Sequence, residues 1–261
     1  METIQFRVEA GVAHLTLNRP DKLNSFNTQM HAEIRSVLAD LGHSHQARAL
    51  LLTGAGRAFC AGQDLSDRAV APGGAAVDLG ESIEKNYRPL VLALRNLPMP
   101  VVAAVNGVAA GAGASIALAC DVVIAARSAS FVQAFSRIGL IPDSGGTWFL
   151  PRLVGNARAM GLALFGDKLG AEQAQDWGLI WRCVDDEQLE PVSREMCRQL
   201  AAGPTRGFVR TRQAIHGGWD ATLEQQLDLE RDFQRELGNS EDYREGVAAF
   251  LARRPPRFTG R

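Results

Sequence analysis

The chain lacks an excess of charge of either sign. Its 28 lysines and arginines stand against 29 aspartates and glutamates, which gives a formal net charge of −1 over 261 residues. No long block of like charge stands out. Proteins that bind nucleic acids usually present a basic face, so the composition argues against that class of partner.

Cysteine is scarce and dispersed. The four cysteines are far apart, with no CxxC pair and no histidine close by: Cys60, Cys120, Cys183 and Cys197. A structural zinc site needs clustered ligands. The sequence therefore predicts no metal site and four reduced, mostly buried thiols, as in a cytoplasmic protein.

Several other signatures are missing. The N-terminus is neither a signal peptide nor a transit peptide, and there is no GxxxxGK[ST] loop or GxSxG elbow. Gly111 and Gly113 follow a strand, but Ile116 occupies the third position of the dinucleotide fingerprint. The uncharged stretch 99–120 is rich in Ala, Val and Gly and is interrupted by Asn106. It predicts a buried strand, turn and helix rather than a membrane span.

Apolar periodicity predicts an α/β chain with right-handed crossovers and a core near Ala103–Ala126. The predicted strands are 4–10, 12–18, 49–54, 100–107, 121–126 and 130–134. The predicted helices are 28–41 with Thr28 as N-cap, one of about 20 residues that ends near Leu97, and 111–120. Residues 66–80 are predicted to be a polar connection containing Gly and Ala. Amphipathic helical patterns dominate after residue 200.

Two glycine-rich turns follow buried strands. One is FCAGQDL at 59–65, and the other is NGVAAGAGAS at 106–115. Small residues let another molecule approach the backbone, and free N–H groups at helix starts favour negative charge. Two such groups that converge would form an oxyanion hole. The residues alone equally allow these glycines to serve only tight turns and close packing.

One carboxylate stands in a third glycine-rich segment, GLIPDSGGTWFLP at 139–151. Asp143 there is either the N-cap of a helix that begins near Ser144 or a catalytic residue. Apolar residues surround it: Phe135, Ile138, Leu140, Ile141 and Trp148. We expect a wall of this kind to keep water away and to raise the pKa of the carboxyl group, which suits proton transfer near neutral pH.

Four ordered segments resemble the crotonase (enoyl-CoA hydratase/isomerase) superfamily. They are TLNRPDKLNSF (16–26), GRAFCAGQDL (56–65), NGVAAGAGASIALACD (106–121) and GLIPDSGGTWFLPRLVG (139–155). The resemblance implies an α/β crotonase spiral fold of repeated ββα units, with a core domain at 1–200 and a helical extension at 201–261 for oligomerisation. It implies an acyl-CoA substrate, a homotrimer or dimer of trimers, no cofactor beyond the CoA of the substrate, and no nucleic-acid or membrane partner.

The resemblance also assigns site residues. It places the oxyanion hole at the backbone N–H groups of Gln63 and Ala112 and makes Asp143 the acid/base. The residues that it places near the substrate or CoA are Lys22, Leu23, Ala61, Asp64, Leu65, Gly111, Phe135 and Trp148.

Departures from the family's hydratases favour isomerisation. Hydratases carry two glutamates that hold and activate water, and this chain has Ser115 and Phe135 at those positions. Neither can act as a carboxylate base. Isomerases of the family resemble this chain in having Asp at position 143. The resemblance therefore implies a shift of 3,4- to 2,3-enoyl-CoA double bonds. It also implies conversion of ring-1,2-epoxyphenylacetyl-CoA to an oxepin, as in the isomerases of phenylacetate catabolism.

Other interpretations stay open at this point. The substrate could instead be a fatty acyl chain, for a Δ3,Δ2-enoyl-CoA isomerase or a hydratase, and Asp143 could serve as a nucleophile, as in a dehalogenase. The superfamily also includes an RNA-binding member, which would require a lysine-rich helix. The predicted helix 28–41 has one arginine and no lysine.

Overall fold

The computed structural model of the chain describes residues 1–44, 46–68 and 78–261. Most of the connection predicted at 66–80 therefore lies outside the described residues. The strands are β1 (Ile4–Glu9), β2 (Val12–Leu17), β3 (Ala49–Gly54), β4 (Ala58–Cys60), β5 (Val101–Val105), β6 (Val108–Ala110), β7 (Val122–Ala126), β8 (Ser130–Val132), β9 (Lys168–Gly170) and β10 (Arg182–Val184).

Helices connect and cover these strands. They are α1 (Thr28–His43), α2 (Leu79–Ser82), α3 (Arg88–Asn96), α4 (Ala112–Leu118), α5 (Gly146–Val154), α6 (Asn156–Phe165), α7 (Ala171–Asp176), α8 (Leu189–Ala202), α9 (Thr205–Gly217), α10 (Leu223–Gly238) and α11 (Glu241–Leu251).

The described strands form two sheets. The larger has the order β1-β2-β3-β5-β7-β10, and the smaller has the order β4-β6-β8-β9. β1 pairs antiparallel with β2, and β9 pairs antiparallel with β8, while the remaining pairs are parallel. Parallel neighbours need crossover connections, and these connections carry the loops that are described below.

A repeated unit sends one strand to each sheet. β3, β5 and β7 lie side by side in the larger sheet, and the strand that follows each of them lies in the smaller sheet. Helical segments then lead out of each unit. The repeated ββα architecture is thus confirmed. Because β4 and β6 are parallel neighbours, the turns that leave their ends are brought together.

Most of the predicted elements in the first half of the chain are confirmed, with local corrections. α1 begins at Thr28, but its N-cap is Asn27, whose side chain accepts a hydrogen bond from the Met30 N–H group. The segment 54–65 contains the short strand β4, and the helical segment 79–96 contains a π-helical turn at Ile83–Tyr87. Three-residue strands such as β4 and β6 are too short to show a period of two in the sequence.

The helices after residue 200 are tied to the core by Arg212. Its buried guanidinium donates hydrogen bonds to main-chain carbonyl groups at 94, 97 and 99, and its NH1 atom lies 3.2 Å from Asp121 Oδ2. Burial raises the pKa of Asp121, and the charge of Arg212 opposes that rise. Each member of this pair therefore depends on the other.

Replacing Arg212 with methionine is expected to lower the free energy of unfolding by about 3–5 kcal/mol, because it leaves the Asp121 carboxylate buried without its ion-pair partner, although the Val101 N–H group still donates to it. Urea unfolding followed by circular dichroism measures this. The control Arg210→Met removes an arginine of the same helix that pairs with Glu236 nearer the surface. This change should lower the free energy of unfolding by less than about 1 kcal/mol. Equal losses in the two variants would contradict the assignment.

Candidate active site

Two loops leave neighbouring strands of the smaller sheet and run side by side. A Cβ atom placed on Gly62 would lie 2.9 Å from the Ala110 carbonyl oxygen and 3.5 Å from the Ala112 nitrogen. Gly62 also has a φ of +89°, which side chains disfavour. A Cβ on Gly113 would lie 2.4 Å from the Cys60 carbonyl oxygen. The two main chains approach this closely because these positions are glycine.

Each loop presents one of the N–H groups assigned to the oxyanion hole. Gln63 forms a parallel bridge with Phe26, in which the hydrogen bonds run from Phe26 N to Gly62 O (2.7 Å) and from Asp64 N to Phe26 O (2.8 Å). These bonds do not use the Gln63 N–H group. Ala112 is the first residue of α4, so its N–H group precedes the hydrogen bonds of the helix. Each loop thus carries an N–H group that the hydrogen bonds of the surrounding strands and helix do not use.

Asn106 joins the β3–β4 connection to the β5–β6 connection, ahead of the strands from which the two loops leave. Its Oδ1 atom accepts a hydrogen bond from the Gly54 N–H group at 3.1 Å. Its Nδ2 atom donates to the carbonyl groups of Gly56 at 2.9 Å and Ala58 at 3.2 Å. The sequence showed this residue only as an interruption of an apolar stretch, yet its side chain joins the two connections that lead into β4 and β6.

Asp143 lies half-buried in the turn that precedes α5. Its main-chain carbonyl accepts from the Gly146 N–H group at 2.8 Å, and Ser144 Oγ donates to its carboxylate at 2.9 Å. α5 begins at Gly146 with Gly145 in the N-cap position, and no side chain caps that end. The alternative that Asp143 is the N-cap of a helix beginning near Ser144 is therefore wrong.

The Asp143 turn packs against the helix that begins at Ala112. A Cβ atom placed on Gly146 would lie 2.8 Å from Ser115 Oγ on α4. The segment that carries Asp143 is therefore a neighbour of α4. The first N–H group of α4 faces the loop that follows β4, at 61–65, which is called the Gly62 loop below. The structure thus brings together the three segments that carry the predicted catalytic residues.

The apolar wall predicted around Asp143 is incomplete in the single chain. Phe135 is buried, and its ring lies 3.7 Å from the position that a Cβ on Gly111 would occupy. Three other members are exposed: Ile138 (53%), Leu140 (38%) and Ile141 (77%). The expectation that they shield Asp143 from water is wrong for the chain alone, because the turn that carries them lies at the surface.

Trp148 belongs to a cluster of aromatic and cationic side chains between α5 and α9. Its ring centroid lies 4.7 Å from that of Trp219, and the guanidinium carbons of Arg152 and Arg95 lie 4.4 and 5.4 Å from it. Burial and the nearby arginines lower the pKa of His216, whose ring contacts Trp219, to about 4. A contact between Trp148 and substrate stays a prediction.

The loop at 19–26 lies against the start of the Gly62 loop. The Ala61 N–H group donates to the Leu23 carbonyl oxygen at 2.9 Å, and Leu23 has a left-handed backbone with a φ of +50°. Lys22 is exposed at the end of a short 3-10 turn. These three residues therefore lie together beside the paired loops, where a role in binding CoA stays a prediction.

Asp64 and Leu65 differ in their surroundings. Asp64 is buried, and its carboxylate accepts hydrogen bonds from Ser66 and, at 2.9 Å, from Arg19. These bonds hold the pKa of Asp64 below its usual value, against the effect of burial. Leu65 is exposed. Both oxygens of Asp64 are thus engaged within the loop, while Leu65 is open to a ligand.

Sequence reasoning missed the support behind Gln63. The Tyr87 hydroxyl donates a hydrogen bond to Gln63 Oε1 at 2.7 Å. The Tyr87 ring is buried, with its centroid 5.8 Å from Phe26 and 4.5 Å from His31. Tyr87 lies 24 residues from Gln63 in the chain, so no local pattern signals the contact.

The thiols are not candidates for nucleophiles at neutral pH. All four cysteines are free, which agrees with the expectation, and burial raises the pKa of Cys60 to about 12. Among the described residues, no three His, Cys, Asp or Glu side chains gather in a way that could hold a metal ion. In the same part of the chain, no helix is long and apolar enough to span a membrane.

Comparisons with known proteins identify relatives of this chain. A family model described as enoyl-CoA hydratase/isomerase matches residues 7–261. A protein of Escherichia coli (strain K12) named 1,2-epoxyphenylacetyl-CoA isomerase is 60% identical over 261 residues, which is 100% of both chains. A probable enoyl-CoA hydratase of Rhodobacter capsulatus is 51% identical and covers 99% of this chain and 98% of its own. The solved structure of a putative enoyl-CoA hydratase from Streptomyces coelicolor A3(2) has a TM-score of 0.91 at 36% identity, covering 100% of this chain and 95% of that chain.

Replacing Gly113 with alanine is expected to lower the free energy of unfolding by about 1–3 kcal/mol or more, because the new Cβ would overlap the main chain of the neighbouring loop. The control is Gly161→Ala in α6, where a Cβ meets nothing within 4 Å. That change should be neutral or stabilising by up to about 1 kcal/mol. Thermal unfolding of both variants compares them, and a stable Gly113→Ala protein would show that the loops lie further apart.

Proposed function

The chain belongs to the enoyl-CoA hydratase/isomerase family, and we propose that it is an isomerase of CoA thioesters. The observation that carries this proposal is the 60% identity, over the whole of both chains, to a relative named 1,2-epoxyphenylacetyl-CoA isomerase. The proposed substrate is ring-1,2-epoxyphenylacetyl-CoA, which would be converted to an oxepin-CoA in phenylacetate catabolism. The same site would shift 3,4- to 2,3-enoyl-CoA double bonds. CoA is part of the substrate, so the proposal needs no other cofactor.

The main-chain N–H groups of Gln63 and Ala112 supply the first part of the proposed mechanism. The thioester oxygen would accept a hydrogen bond from each of them and would gain negative charge as the reaction proceeds. Donors that are held by packed loops need no rearrangement at that moment, which is why such sites are effective. The close contact between Gly62 and the start of α4 supports this role.

Asp143 supplies the second part. In the double-bond shift, its carboxylate would remove a proton from C2 of the 3,4-enoyl thioester, and the electron pair would pass into the thioester as an enolate. The protonated carboxyl group would then return the proton to C4 and leave the 2,3-enoyl product. One group that serves first as a base and then as an acid is sufficient for this reaction.

Hydration is the second candidate, favoured by the 51% identity to a probable enoyl-CoA hydratase. Residues 115 and 135 argue against it. Ser115 is fully buried beside α5, and Phe135 is a buried aromatic ring. Neither side chain can activate water as a carboxylate does. A fatty-acyl Δ3,Δ2-enoyl-CoA isomerase would use Asp143 in the same way and differs only in the acyl group.

Asp143→Asn is expected to slow isomerisation of 3-enoyl-CoA and of the epoxide, generated in situ, by about 100-fold or more, because the amide cannot take up the proton. Product formation is followed by chromatography, with 2-enoyl-CoA plus water as a third substrate to detect hydration. The control Asp40→Asn changes an exposed aspartate of α1 and should keep the wild-type rate.

The outcomes separate the candidates. Wild-type conversion of the epoxide and the 3-enoyl substrate with little hydration supports the isomerase. Fast hydration by the wild type favours the second candidate. An Asp143→Asn enzyme that keeps its rate would rule out the proton transfer proposed for this carboxylate, and retained CoA binding by calorimetry excludes a folding defect.

The proposal includes a homotrimer, or a dimer of trimers, formed through the C-terminal helices of a cytoplasmic enzyme. In support, apolar side chains of the described chain line an open groove of about 440 Å³ there, among them Leu237, Tyr243, Val247, Phe250, Leu251 and Phe258. Phe250 is 83% exposed. Monomeric proteins rarely leave a large apolar patch in water, so a second copy of the chain is the proposed cover.

Phe250→Asp is expected to convert the oligomer to a monomer, because a charge in an apolar interface loses its hydration. Size-exclusion chromatography with light scattering measures the mass. Val8→Asp places the same charge on the edge strand β1, at an exposed residue that does not line the groove, and should leave the mass unchanged. A monomeric wild type, or a Phe250→Asp protein of unchanged mass, would reject this interface.

A further inference from the structure

A cavity of about 360 Å³ lies between the larger sheet and the start of α8. Its polar lining includes Arg7, His14, Thr16, Thr53, Asn106 and Arg194. The described lining residues do not include those proposed for catalysis. Pockets for small molecules begin at about 300 Å³, so the cavity is large enough for a small ligand.

The register of the strands explains why polar side chains meet here. Arg7 lies opposite His14 in the β1–β2 pair, and Thr16 lies opposite Thr53 in the β2–β3 pair. Paired residues share a face of the sheet, as do residues two apart on one strand. A row of polar groups is thus placed on the face that α8 covers. Of these residues His14 is buried, Thr16 and Thr53 are half-buried, and Arg7 is exposed at the edge of the row.

His14 is the member of this row that points most directly to a ligand. It is only 8% exposed and lines the cavity, and no described side chain or main-chain group forms a hydrogen bond with its imidazole. Burial and the positive charges of Arg7 and Arg194 lower its pKa, while Glu9 acts in the opposite direction. The imidazole nitrogens are not among the fully buried polar atoms of the described residues, so they are open to a ligand in the cavity.

Two arginines at the cavity keep part of their hydrogen-bonding capacity. Arg194 pairs with Glu190 at 2.8 Å, whereas Arg7 approaches Glu9 only to 3.6 Å. A guanidinium group has five N–H donors, so these contacts leave donors for another acceptor. The other acidic residue of the lining, Asp186, accepts a hydrogen bond from the main chain at residue 128 at 2.9 Å. The cavity therefore offers more hydrogen-bond donors without a partner than acceptors without a partner.

We propose that this cavity binds a small oxyanion, a phosphate or carboxylate group, between Arg7 and Arg194, with the imidazole N–H of His14 as a further donor. Guanidinium groups match the oxygen spacing of both anions. The Glu9 and Glu190 carboxylates compete for the same arginines, so a modest affinity is expected.

Inorganic phosphate and, in a separate arm, acetate are the probes. Each is added to the full chain at constant ionic strength, with chloride as the balancing anion, while NMR follows the Hε1–Cε1 signals of the histidines. A saturable shift of the His14 signal is expected, with an upward movement of its pKa, because a bound anion favours the imidazolium form. Saturation by phosphate alone, by acetate alone or by both supports the site and identifies its preference. His43, exposed at the end of α1, should not saturate.

Two variants of α8 test the contact. Arg194→Gln is expected to weaken binding by about tenfold or more, as for the loss of a charge-assisted hydrogen bond. Arg198→Gln removes an exposed arginine one turn further along, paired with Glu195, and should weaken binding by less than about twofold. Circular dichroism confirms that both variants are folded.

Three results would overturn the proposal. One is a His14 signal that does not move at about 50 mM phosphate or acetate, which would mean that the cavity holds only water. Another is a shift of the His14 signal that follows the same dependence on anion concentration as the His43 signal, which would indicate a general salt effect. The last is an equal loss of affinity in Arg194→Gln and Arg198→Gln.

Discussion

The close approach of two main-chain segments is the constraint on which the rest of this structure depends. The Gly62 loop and the start of α4 must lie in contact before the N–H groups of Gln63 and Ala112 can face one oxygen atom. Glycine makes the approach sterically feasible, and Asn106 ties together the connections that lead into β4 and β6. The smaller sheet holds β4 and β6, which lead into the loops, as a parallel pair, and the larger sheet holds β3 and β5, which precede them, as another.

In the proposed mechanism, the side chains around the paired loops determine whether the site isomerises or hydrates its substrate. The donors of the proposed oxyanion hole belong to the main chain, so they do not distinguish an isomerase from a hydratase. In the proposed mechanism, the difference lies in the side chains near the reacting carbons. Ser115 and Phe135 occupy the positions where the resemblance places the glutamates of hydratases, and Asp143 would supply the only carboxylate of the mechanism. The exposed apolar side chains near Asp143 leave a surface that substrate or a neighbouring subunit would have to cover before the carboxylate loses contact with water.

The sequence alone predicts the parts of this arrangement that depend on local patterns. The hairpin β1–β2, the strand β3 and the helix α1 follow from periodicity, and the glycine-rich turns mark the loops. Contacts between distant segments leave no local trace. The bond from Tyr87 to Gln63, the tie made by Asn106 and the row of polar residues beneath α8 each require the folded topology. The choice of Asn27 over Thr28 as N-cap depends on backbone angles that two adjacent capping residues do not specify. The resemblance to a family supplied the roles of the residues, which periodicity cannot.

The alternation of strands between two sheets also sets an order of events during synthesis. In the smaller sheet, Ala58 pairs with Val108, and Val108 pairs with Ser130, so each neighbour arrives from a much later part of the chain. Pairings of this range form slowly, because the intervening chain must first be closed into a loop. A nascent chain released by the ribosome only through the Gly62 loop can begin the larger sheet with β1, β2 and β3, yet that loop still lacks the start of α4 as a neighbour. The exposed strand edge in such an intermediate is where aggregation would compete with folding.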